Sequence, residues 1–497
     1  MRYSIHKIYL ALSLVVTVLF NAACGGGGSN LAGGGIGGTG ITAFGTITGF
    51  GSVFVNGIEF ETSGSLFDVD DDDTAIEGDL GIGMVVTVTG ILNDDGVTGT
   101  ADSIEYDDEI EGPITSTVDE DPGLETKTFT VFDTTVVVSR SSTVFANAGY
   151  ATLTQDDVVE ISGFVDEAGT LVATRLEGEG TLVPGTTEVE LKGTVSGCGC
   201  DCINTLNLGS VTVNFDGGTD LTEVPGGVVS DGQYVEVKGT LEVDDSISAS
   251  RIELEDEGLG DTGDDKVSIE GLVSEFIDLG SFKVAGQLVN ATSAISFVPA
   301  GLETGLTDGM EVEVEGPIVD GVLQAIGVEA RGGEIRIDAR VLSTTVDADG
   351  INGSITLQLA PGNLTVMVDS QTALRDDTGV EELLALAEIG STDFLEVEAF
   401  RDDASGNLVA TEVRRDEVGD DVLQGLVDSC TGGRVFILGL DYILADGTTS
   451  YVDEDEVPLV SQTAAAFCDA QAAGGFFVKV KDEFTADGVA DEAELEN

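Results

Sequence analysis

The sequence contains no tryptophan and a single histidine, His6, which lies in a segment that has the features of a removable signal. Without histidine, a mature chain cannot use Ser-His-Asp or Cys-His catalysis, cannot hold haem through His, and lacks the commonest zinc and copper ligand. Basic residues are also scarce, because 20 Lys and Arg oppose 92 Asp and Glu, which gives a net charge of -72. A surface of that sign cannot neutralise phosphates, so we expect no nucleic-acid partner.

The apolar content is high enough for a folded protein despite this charge. Hydrophobic residues make up 41% of the 497 residues, and this supply of Val, Ile, Leu and Phe argues against wholesale disorder. The sequence therefore predicts a folded, strongly acidic protein.

The N-terminal segment predicts export and anchoring to a membrane. Arg2 and Lys7 precede an uncharged, mostly apolar stretch at 8–20, which is too short for a stable transmembrane helix. Asn21-Ala22-Ala23-Cys24 then resembles the lipobox of bacterial lipoproteins, although Leu is usual where Asn21 stands. The resemblance implies a signal peptide at 1–23 and lipidation of Cys24; a plain secreted protein is the alternative.

Residues 24–40 form a Gly-rich tether, because this composition has almost nothing to bury. No Asp follows Cys24, and by resemblance to lipoprotein sorting this favours the outer membrane over the inner one. The sequence does not encode which leaflet carries the anchor.

One β unit recurs six times in the rest of the chain. Each copy has an alternating strand that usually ends in Gly, an acidic or Gly-containing turn, and a strand with a central Ala. The alternating strands begin at Val85, Val159, Val235, Val312, Leu395 and Phe477, and the partner strands carry Ala101, Ala173, Ala249, Ala325, Ala410 and Ala493.

The marker alanines are 72 to 85 residues apart, which is long enough for a small domain and too long for a solenoid rung. The sequence thus predicts six units, at 41–108, 109–185, 186–258, 264–332, 333–417 and 418–497. Period-two alternation and Asp-Gly turns such as Asp320-Gly321 indicate half-buried antiparallel strands.

Five strands per unit, with a short non-strand stretch between the third and fourth, match a small Greek-key barrel of the OB type. The predicted fold class is therefore all-β, a tandem array of about six such barrels. The segment 380–388 falls at that insertion in unit 5 and is predicted to be a helix. An open sandwich per unit, or two units forming one larger barrel, are the alternatives.

These motifs resemble a family of bacterial lipoproteins built from tandem small β-barrel domains of unassigned function. The resemblance rests on strands such as Phe282–Gly286 and Val235–Gly239 and on the partner strand around Ala249–Glu253. It implies a repeated structural module and supplies no catalytic residue.

The cysteines allow two interpretations. Cys430 and Cys468 both lie in unit 6, and we expect a disulfide between them because the compartment should be oxidising. Cys198, Cys200 and Cys202 are three thiols in five residues, which could hold a soft metal such as Cu(I) or Zn. A local disulfide with a spare thiol is the alternative, because three thiolates without His need a fourth ligand.

Two acidic loops are candidate sites for calcium. Asp68, Asp70 and Asp72 occupy positions 1, 3 and 5 of an EF-hand-like loop, but Asp73 stands where Gly is required. Asp347 and Asp349 form a second Asp-x-Asp-Gly run. Asp and Gly are also ordinary turn residues, so solvated turns without a specific ion are the alternative.

The sequence predicts a non-enzymatic surface spacer or binding module of the cell envelope. Repeated small barrels on a tether suit reach and multivalent contact with a protein or saccharide, although the lack of Trp weakens the saccharide case. A divalent-cation-binding protein is the nearest alternative. A carboxylate-based hydrolase is a further one, although no spacing singles out a catalytic pair.

Overall fold

A computed structural model describes residues 39–496. It leaves out 51, 71, 73, 122–125, 141, 199–201, 256–257, 260–263, 265, 299–301, 332–334, 349, 377, 379–381, 402–405, 453–457, 472–476 and 484–485. Strands make up 58% of the structure and helices 5%, and they form small five-stranded barrels in tandem. The predicted all-β array is therefore confirmed.

The strands of each barrel follow one another in chain order. Unit 1 contains β1 (Thr39–Gly49), β2 (Val53–Val55), β3 (Ile58–Glu61), β4 (Leu66–Val69), β5 (Val85–Leu92) and β6 (Thr98–Tyr106). Unit 2 contains β7 (Ile110–Pro113), β8 (Asp119–Asp121), β9 (Thr126–Val131), β10 (Thr134–Ser139), β11 (Val144–Ala146), β12 (Asp157–Val165) and β13 (Leu171–Thr181). Unit 3 contains β14 (Glu188–Ser196), β15 (Thr205–Leu208), β16 (Val211–Asn214), β17 (Tyr234–Leu241) and β18 (Ile247–Leu254).

The second half of the chain repeats this order. Unit 4 contains β19 (Lys266–Asp278), β20 (Ser281–Val284), β21 (Gln287–Asn290), β22 (Ser296–Val298), β23 (Glu311–Gly316), β24 (Ile318–Val319), β25 (Val322–Gln324) and β26 (Gly327–Ala330). Unit 5 contains β27 (Ile335–Val346), β28 (Gly353–Leu359), β29 (Gly362–Val368), β30 (Ala373–Asp376), β31 (Glu382–Leu383), β32 (Phe394–Arg401) and β33 (Leu408–Asp416). Unit 6 contains β34 (Asp421–Thr431), β35 (Arg434–Ile437), β36 (Leu440–Ile443), β37 (Ser450–Val452), β38 (Phe477–Asp482) and β39 (Glu492–Glu496).

Unit 3 shows the connectivity of the barrel. The long first strand β14 pairs antiparallel with β17 and, further along, with β15. The pairs β15–β16 and β17–β18 are antiparallel, and β16 closes the barrel by pairing parallel with β18. This is the OB-type order, in which the third strand returns beside the last one.

A short helical segment precedes the long alternating strand of each barrel, which is β5, β12, β17, β23, β32 or β38. It is a 3-10 turn at Glu77–Asp79, Tyr150–Thr152, Pro225–Gly227 and Leu386–Glu388, and an α-helix at α1 (Leu302–Gly305) and α2 (Ala464–Gln471).

The helix predicted at 380–388 is wrong in the part that the structure describes. Glu382–Leu383 forms β31, which pairs with β30, and only Leu386–Glu388 makes a 3-10 turn. Leu384, Leu386 and Ile389 are all buried in the core, so packing determines this backbone rather than the helix propensity of a Leu- and Glu-rich segment.

The barrels are joined in pairs through their first strands. In units 1 and 4, β1 pairs parallel with β19; in units 2 and 3, β7 pairs antiparallel with β14; in units 5 and 6, β27 pairs antiparallel with β34. Each bent first strand leaves one edge unused by its own barrel over part of its length, and the partner barrel occupies that edge. An exposed strand edge is open to unwanted pairing, and this arrangement covers it.

The apolar cores follow the pairing. One continuous cluster spans units 2 and 3, and another spans units 5 and 6, whereas units 1 and 4 have separate clusters. No helix in the described residues is long and apolar enough to cross a membrane.

Candidate cation site

Three carboxylates from separate parts of the chain converge where units 1, 2 and 3 meet. Asp70 follows β4, Asp108 lies between β6 and β7, and Glu190 is on β14. One oxygen from each lies within 4.8 Å of the other two. Asp108 is 2% exposed and Glu190 is 4% exposed, whereas Asp70 is only partly buried.

The local sequence explains how Glu190 becomes buried. In β14, Val189 and Leu191 point into the barrel, so Glu190 points outward on the opposite face. In an isolated barrel this face would contact water. Here residues of unit 1 lie over this face, since Asp70 and Asp108 are close to Glu190. Strand β7 pairs with the edge of β14 and does not itself cover the face.

A row of glutamates crosses the sheet beside this cluster. Glu190 stands directly opposite Glu111 on β7, and Glu111 stands opposite Glu160 on β12. Directly opposed residues of neighbouring strands share one face of the sheet, and like charges placed in this way destabilise it. Tyr106 donates a hydrogen bond to Glu160 Oε1 at 2.8 Å.

Two lysines supply the nearby positive charge. Lys238 Nζ lies 3.0 Å from Glu190 Oε2, and Lys192 Nζ lies 3.6 Å from Glu236 Oε2. Lys192 also donates a hydrogen bond to the backbone oxygen of Asp108 at 2.6 Å. The two lysines therefore form ion pairs with Glu190 and Glu236 and a hydrogen bond with a backbone carbonyl oxygen.

The pKa values record the excess of negative charge. Burial, reinforced by Glu190 and Glu160, raises the pKa of Asp108 well above its ordinary range. Burial and the neighbouring Glu236 raise the pKa of Glu190 to about 9, although Lys238 opposes the shift. Burial likewise raises the pKa of Asp70 to about 6.

Several oxygens of this cluster are buried without a hydrogen-bond donor. Among the residues that the structure describes, Oδ1 of Asp70, Oδ1 of Asp108 and Oε1 of Glu190 have no hydrogen-bond partner. Buried polar oxygens are rarely left in this state, so each requires an explanation. Clustered carboxylates that have such unpaired oxygens are suited to bind a hard cation.

The two other predicted aspartates of this loop lie elsewhere. Asp68 is within β4, opposite Glu105, and Asp72 is exposed, where its Oδ1 accepts a hydrogen bond from the amide of Thr74 at 2.9 Å. The structure thus brings Asp70 into a cluster of acids without Asp68 or Asp72, and it does not form an EF-hand-like loop from them.

Asp347 lies in the exposed turn between β27 and β28. Its amide donates to the carbonyl of Asn352 at 2.8 Å, and its carbonyl accepts from Gly350 at 3.1 Å. Asp349 lies outside the described residues. No group of three possible metal ligands in the described ranges includes Asp347.

Cys198 and Cys202 are joined as a disulfide, with Cα atoms 4.9 Å apart, and Asp231 accepts a hydrogen bond from the Cys198 amide. A disulfide offers no thiolate to a metal, so this arrangement is the local-disulfide alternative to a metal site. Cys200 lies outside the described residues.

Cys430 on β34 and Cys468 on α2 are joined as a second disulfide, with Cα atoms 5.1 Å apart. Cys24, the predicted lipid-bearing residue, falls outside the described part of the chain and remains a prediction.

A second polar junction contains arginines as well as carboxylates. A cavity of about 120 Å³ lies between units 1, 2, 4 and 5, and its lining includes Arg331 and Arg375. Arg331 pairs with Glu313, and Arg375 pairs with Glu412. Glu270, Glu311, Glu398 and Glu412 also line the cavity, so the two arginines offset only part of its negative charge.

Sequence reasoning missed Asp108 and Glu190. Asp108 belongs to an acidic run at the boundary between two units, and Glu190 is the outward residue of an alternating strand. Both patterns usually indicate solvent-exposed acids. Their burial depends on how unit 1 packs against units 2 and 3, which the repeat pattern does not contain.

Comparison with known proteins gives the family and little more. A solved structure described as "drosophila Unr CSD456" is 14% identical, with 46% of this chain and 97% of that chain covered, but its TM-score of 0.11 carries no argument. No curated protein matches the chain. The family described as "Domain of unknown function (DUF5666)" matches residues 111–177, 192–253, 270–329 and 344–414, which lie in units 2 to 5. These four matches cover just over half of the sequence, and the chain therefore belongs to the DUF5666 family.

Proposed function

We propose that this chain is a non-enzymatic, lipid-anchored protein of the outer membrane whose paired barrels form a spacer and a binding surface. The observation that supports it best is the pairing of first strands, β1 with β19, β7 with β14 and β27 with β34. Barrels joined only by flexible linkers would bind partners independently of one another. Barrels that share a sheet hold their surfaces at a fixed geometry, which suits a scaffold.

The anchor is argued from the sequence. Cys24 follows the signal-like segment, and the Gly-rich residues after it would separate the folded barrels from the membrane. A single acyl chain binds membranes only weakly, so stable anchoring requires the multiple chains that a lipoprotein carries.

The partner is proposed to be a protein or a saccharide. The net charge of -72 disfavours nucleic acid, and no spacing in the sequence singles out a pair of carboxylates for glycoside hydrolysis. A divalent-cation-binding function is the second candidate, and the cluster of Asp70, Asp108 and Glu190 favours it.

Fractionation and mass spectrometry test the anchor. The mature N-terminus should be an acylated Cys24, and Cys24→Ser should move the protein from the membrane fraction to the soluble fraction. Ser29→Ala in the tether is the control and should leave the protein in the membrane fraction. An unmodified N-terminus at any other residue would contradict both the lipidation and the membrane anchoring.

Mild crosslinking of the intact envelope tests the scaffold role. A scaffold or receptor should be recovered with a defined protein or glycan crosslinked to the barrels. Recovery of the chain without any such partner would contradict a binding role and leave the spacer role.

A further inference from the structure

We infer that Asp70, Asp108 and Glu190 form a binding site for one calcium ion, which ties unit 1 to the pair formed by units 2 and 3. This inference does not depend on lipid anchoring or on the identity of a partner.

The distances suit a single ion. Calcium binds oxygen ligands at about 2.3–2.6 Å, so two ligands on opposite sides of it are separated by up to about 5 Å. The three oxygens lie within 4.8 Å of one another and can therefore contact the same ion. Calcium takes six to eight oxygens in variable geometry, so backbone carbonyls and water can complete its shell.

The unpaired oxygens point to a ligand independently of the clustering. Asp108 is only 2% exposed, and its Oδ1 has no hydrogen-bond donor among the described residues. A buried carboxylate oxygen without a donor is costly, and a coordinated cation removes that cost. Oδ1 of Asp70 and Oε1 of Glu190 are in the same condition.

The charge at this junction also requires a cation or protons. Two lysines, Lys192 and Lys238, stand among more carboxylates than they can neutralise. The surrounding acids include Asp70, Asp108, Glu111, Glu160, Glu190 and Glu236. A divalent ion held by Asp70, Asp108 and Glu190 adds two positive charges to those of the two lysines.

The location gives such an ion a structural role. Unit 1 belongs to the sheet that contains unit 4, whereas units 2 and 3 form a different sheet. Asp70 and Asp108 come from unit 1, and Glu190 comes from unit 3. One ion bound to all three connects two sheets that no described strand pairing joins. Asp70 is partly exposed, so the ion can approach from its side.

The test measures the calcium-dependent change of melting temperature and calcium binding by calorimetry, using the full chain. Four proteins are compared: the unchanged chain, Asp108→Asn, Glu190→Gln and Asp72→Asn as the matched control. Asp72 is two residues from Asp70 but is exposed and hydrogen-bonded to Thr74. Each protein is measured in calcium, in magnesium, and in sodium chloride with a chelator at equal ionic strength.

We expect calcium to raise the melting temperature of the unchanged chain and of Asp72→Asn, with one binding event per chain. Asp108→Asn and Glu190→Gln should weaken that event by at least about tenfold and remove most of the shift. Because each shift is taken within one protein, a variant that folds less stably still reports on calcium.

Equal shifts in all four proteins would overturn the site, because the acidic surface as a whole would then account for calcium uptake. So would the absence of a calcium shift beyond that of sodium in the unchanged chain. A magnesium shift equal to the calcium shift, lost in the same two variants, would overturn the assignment to calcium.

Discussion

Gly239 lies against the backbone carbonyl of Ser248, and a Cβ at Gly239 would stand 2.4 Å from that oxygen. The strand register shifts at this point, between Lys238 and Gly239 in the β17–β18 pair. Gly90 and Gly163 occupy the same place in units 1 and 2, each at a register shift and each with a carbonyl oxygen 2.2 Å from the Cβ position. The glycine that ends the repeated strand is thus required by a β-bulge.

Gly239→Ala should destabilise unit 3, because a neighbouring backbone segment must move to accept the methyl group. We expect a loss of about 1–3 kcal/mol in the free energy of unfolding, measured by urea denaturation. Gly217→Ala is the control, since nothing lies within 4 Å of its Cβ position, and it should change stability by less than about 0.5 kcal/mol. Equal effects of the two substitutions would contradict the role given to the bulge.

Unit 5 shows that this position can adapt. It carries Ala399 where units 1 to 4 have glycine, at the same register shift between Glu398 and Ala399, and Ala399 is fully buried. The bulge therefore persists with a methyl group when the surrounding residues are chosen to fit. Gly239→Ala should lower the stability of unit 3 because the residues around Gly239 leave no space for a methyl group.

The repeat pattern predicted the barrels because the strands and their turns are specified locally. Alternation in segments such as Val235–Gly239 fixes which face is buried, and Asp-Gly turns fix the hairpins. Pairing between barrels could not be predicted in this way. It depends on the free edge of a bent strand, and the side chains along that edge have the same alternation as any exposed face.

The helices and the cation site also depend on tertiary packing, which a local sequence pattern does not reveal. The segment at 380–388 has helix-forming residues, but burial of Leu384, Leu386 and Ile389 determines its backbone. Helix α2 was missed because an Ala-rich segment has little periodicity, and its Phe467 is fully buried. Glu190 has an ordinary outward position in its own strand, and the approach of Asp70 and Asp108 from unit 1 makes it part of a buried cluster.

Removal of the disulfide between Cys430 and Cys468 should destabilise unit 6. The bond closes a loop with a sequence separation of 38, for which the chain-entropy model gives about 4 kcal/mol. We expect the double substitution Cys430→Ser and Cys468→Ser to lower the melting temperature of unit 6, as measured by calorimetry.

The second disulfide is the matched comparison. Cys198 and Cys202 are separated by only 4 residues, so the same entropy relation predicts about half the effect for Cys198→Ser with Cys202→Ser. A larger loss from this short loop than from the long one would show that loop entropy does not control the stabilisation.

Units 2 and 3 should unfold as one cooperative body. Their barrels share an apolar cluster, and β7 of unit 2 pairs with β14 of unit 3. We therefore expect residues 109–258 expressed alone to give a single transition by circular dichroism and calorimetry. Residues 186–258 alone should still form a β-rich monomer, as the repeat spacing predicts. Their melting temperature should be lower, because β14 loses its pairing with β7 at Glu190 and Leu191.

Two separate transitions in residues 109–258 would contradict this coupling and favour independent barrels. A fragment at 186–258 as stable as the pair would lead to the same conclusion. Both outcomes are distinguishable from failure to fold, in which no cooperative transition is seen for either fragment.

The buried carboxyl of Glu313 should make the stability of unit 4 depend on pH. Glu313 is 3% exposed, and burial raises its pKa from 4.5 to about 7, although Arg331 and a hydrogen bond from Ser268 oppose the shift. Glu315 and Glu329 also face this group and raise its pKa. Between pH 4.5 and about 7 the folded state therefore binds more protons at Glu313 than the unfolded state does.

A folded state that binds more protons loses stability as the pH rises, so this contribution is fully present below pH 4.5 and is lost through pH 7. Glu313→Gln removes the titrating group, and in urea denaturation the stability of the variant relative to the unchanged chain should rise from pH 5 to about pH 7 and then level off. Asp320→Asn, at an exposed Asp-Gly turn of the same unit, is the control and should give a curve parallel to that of the unchanged chain. A constant difference between Glu313→Gln and the unchanged chain across this range would mean that Arg331 keeps Glu313 ionised in both states.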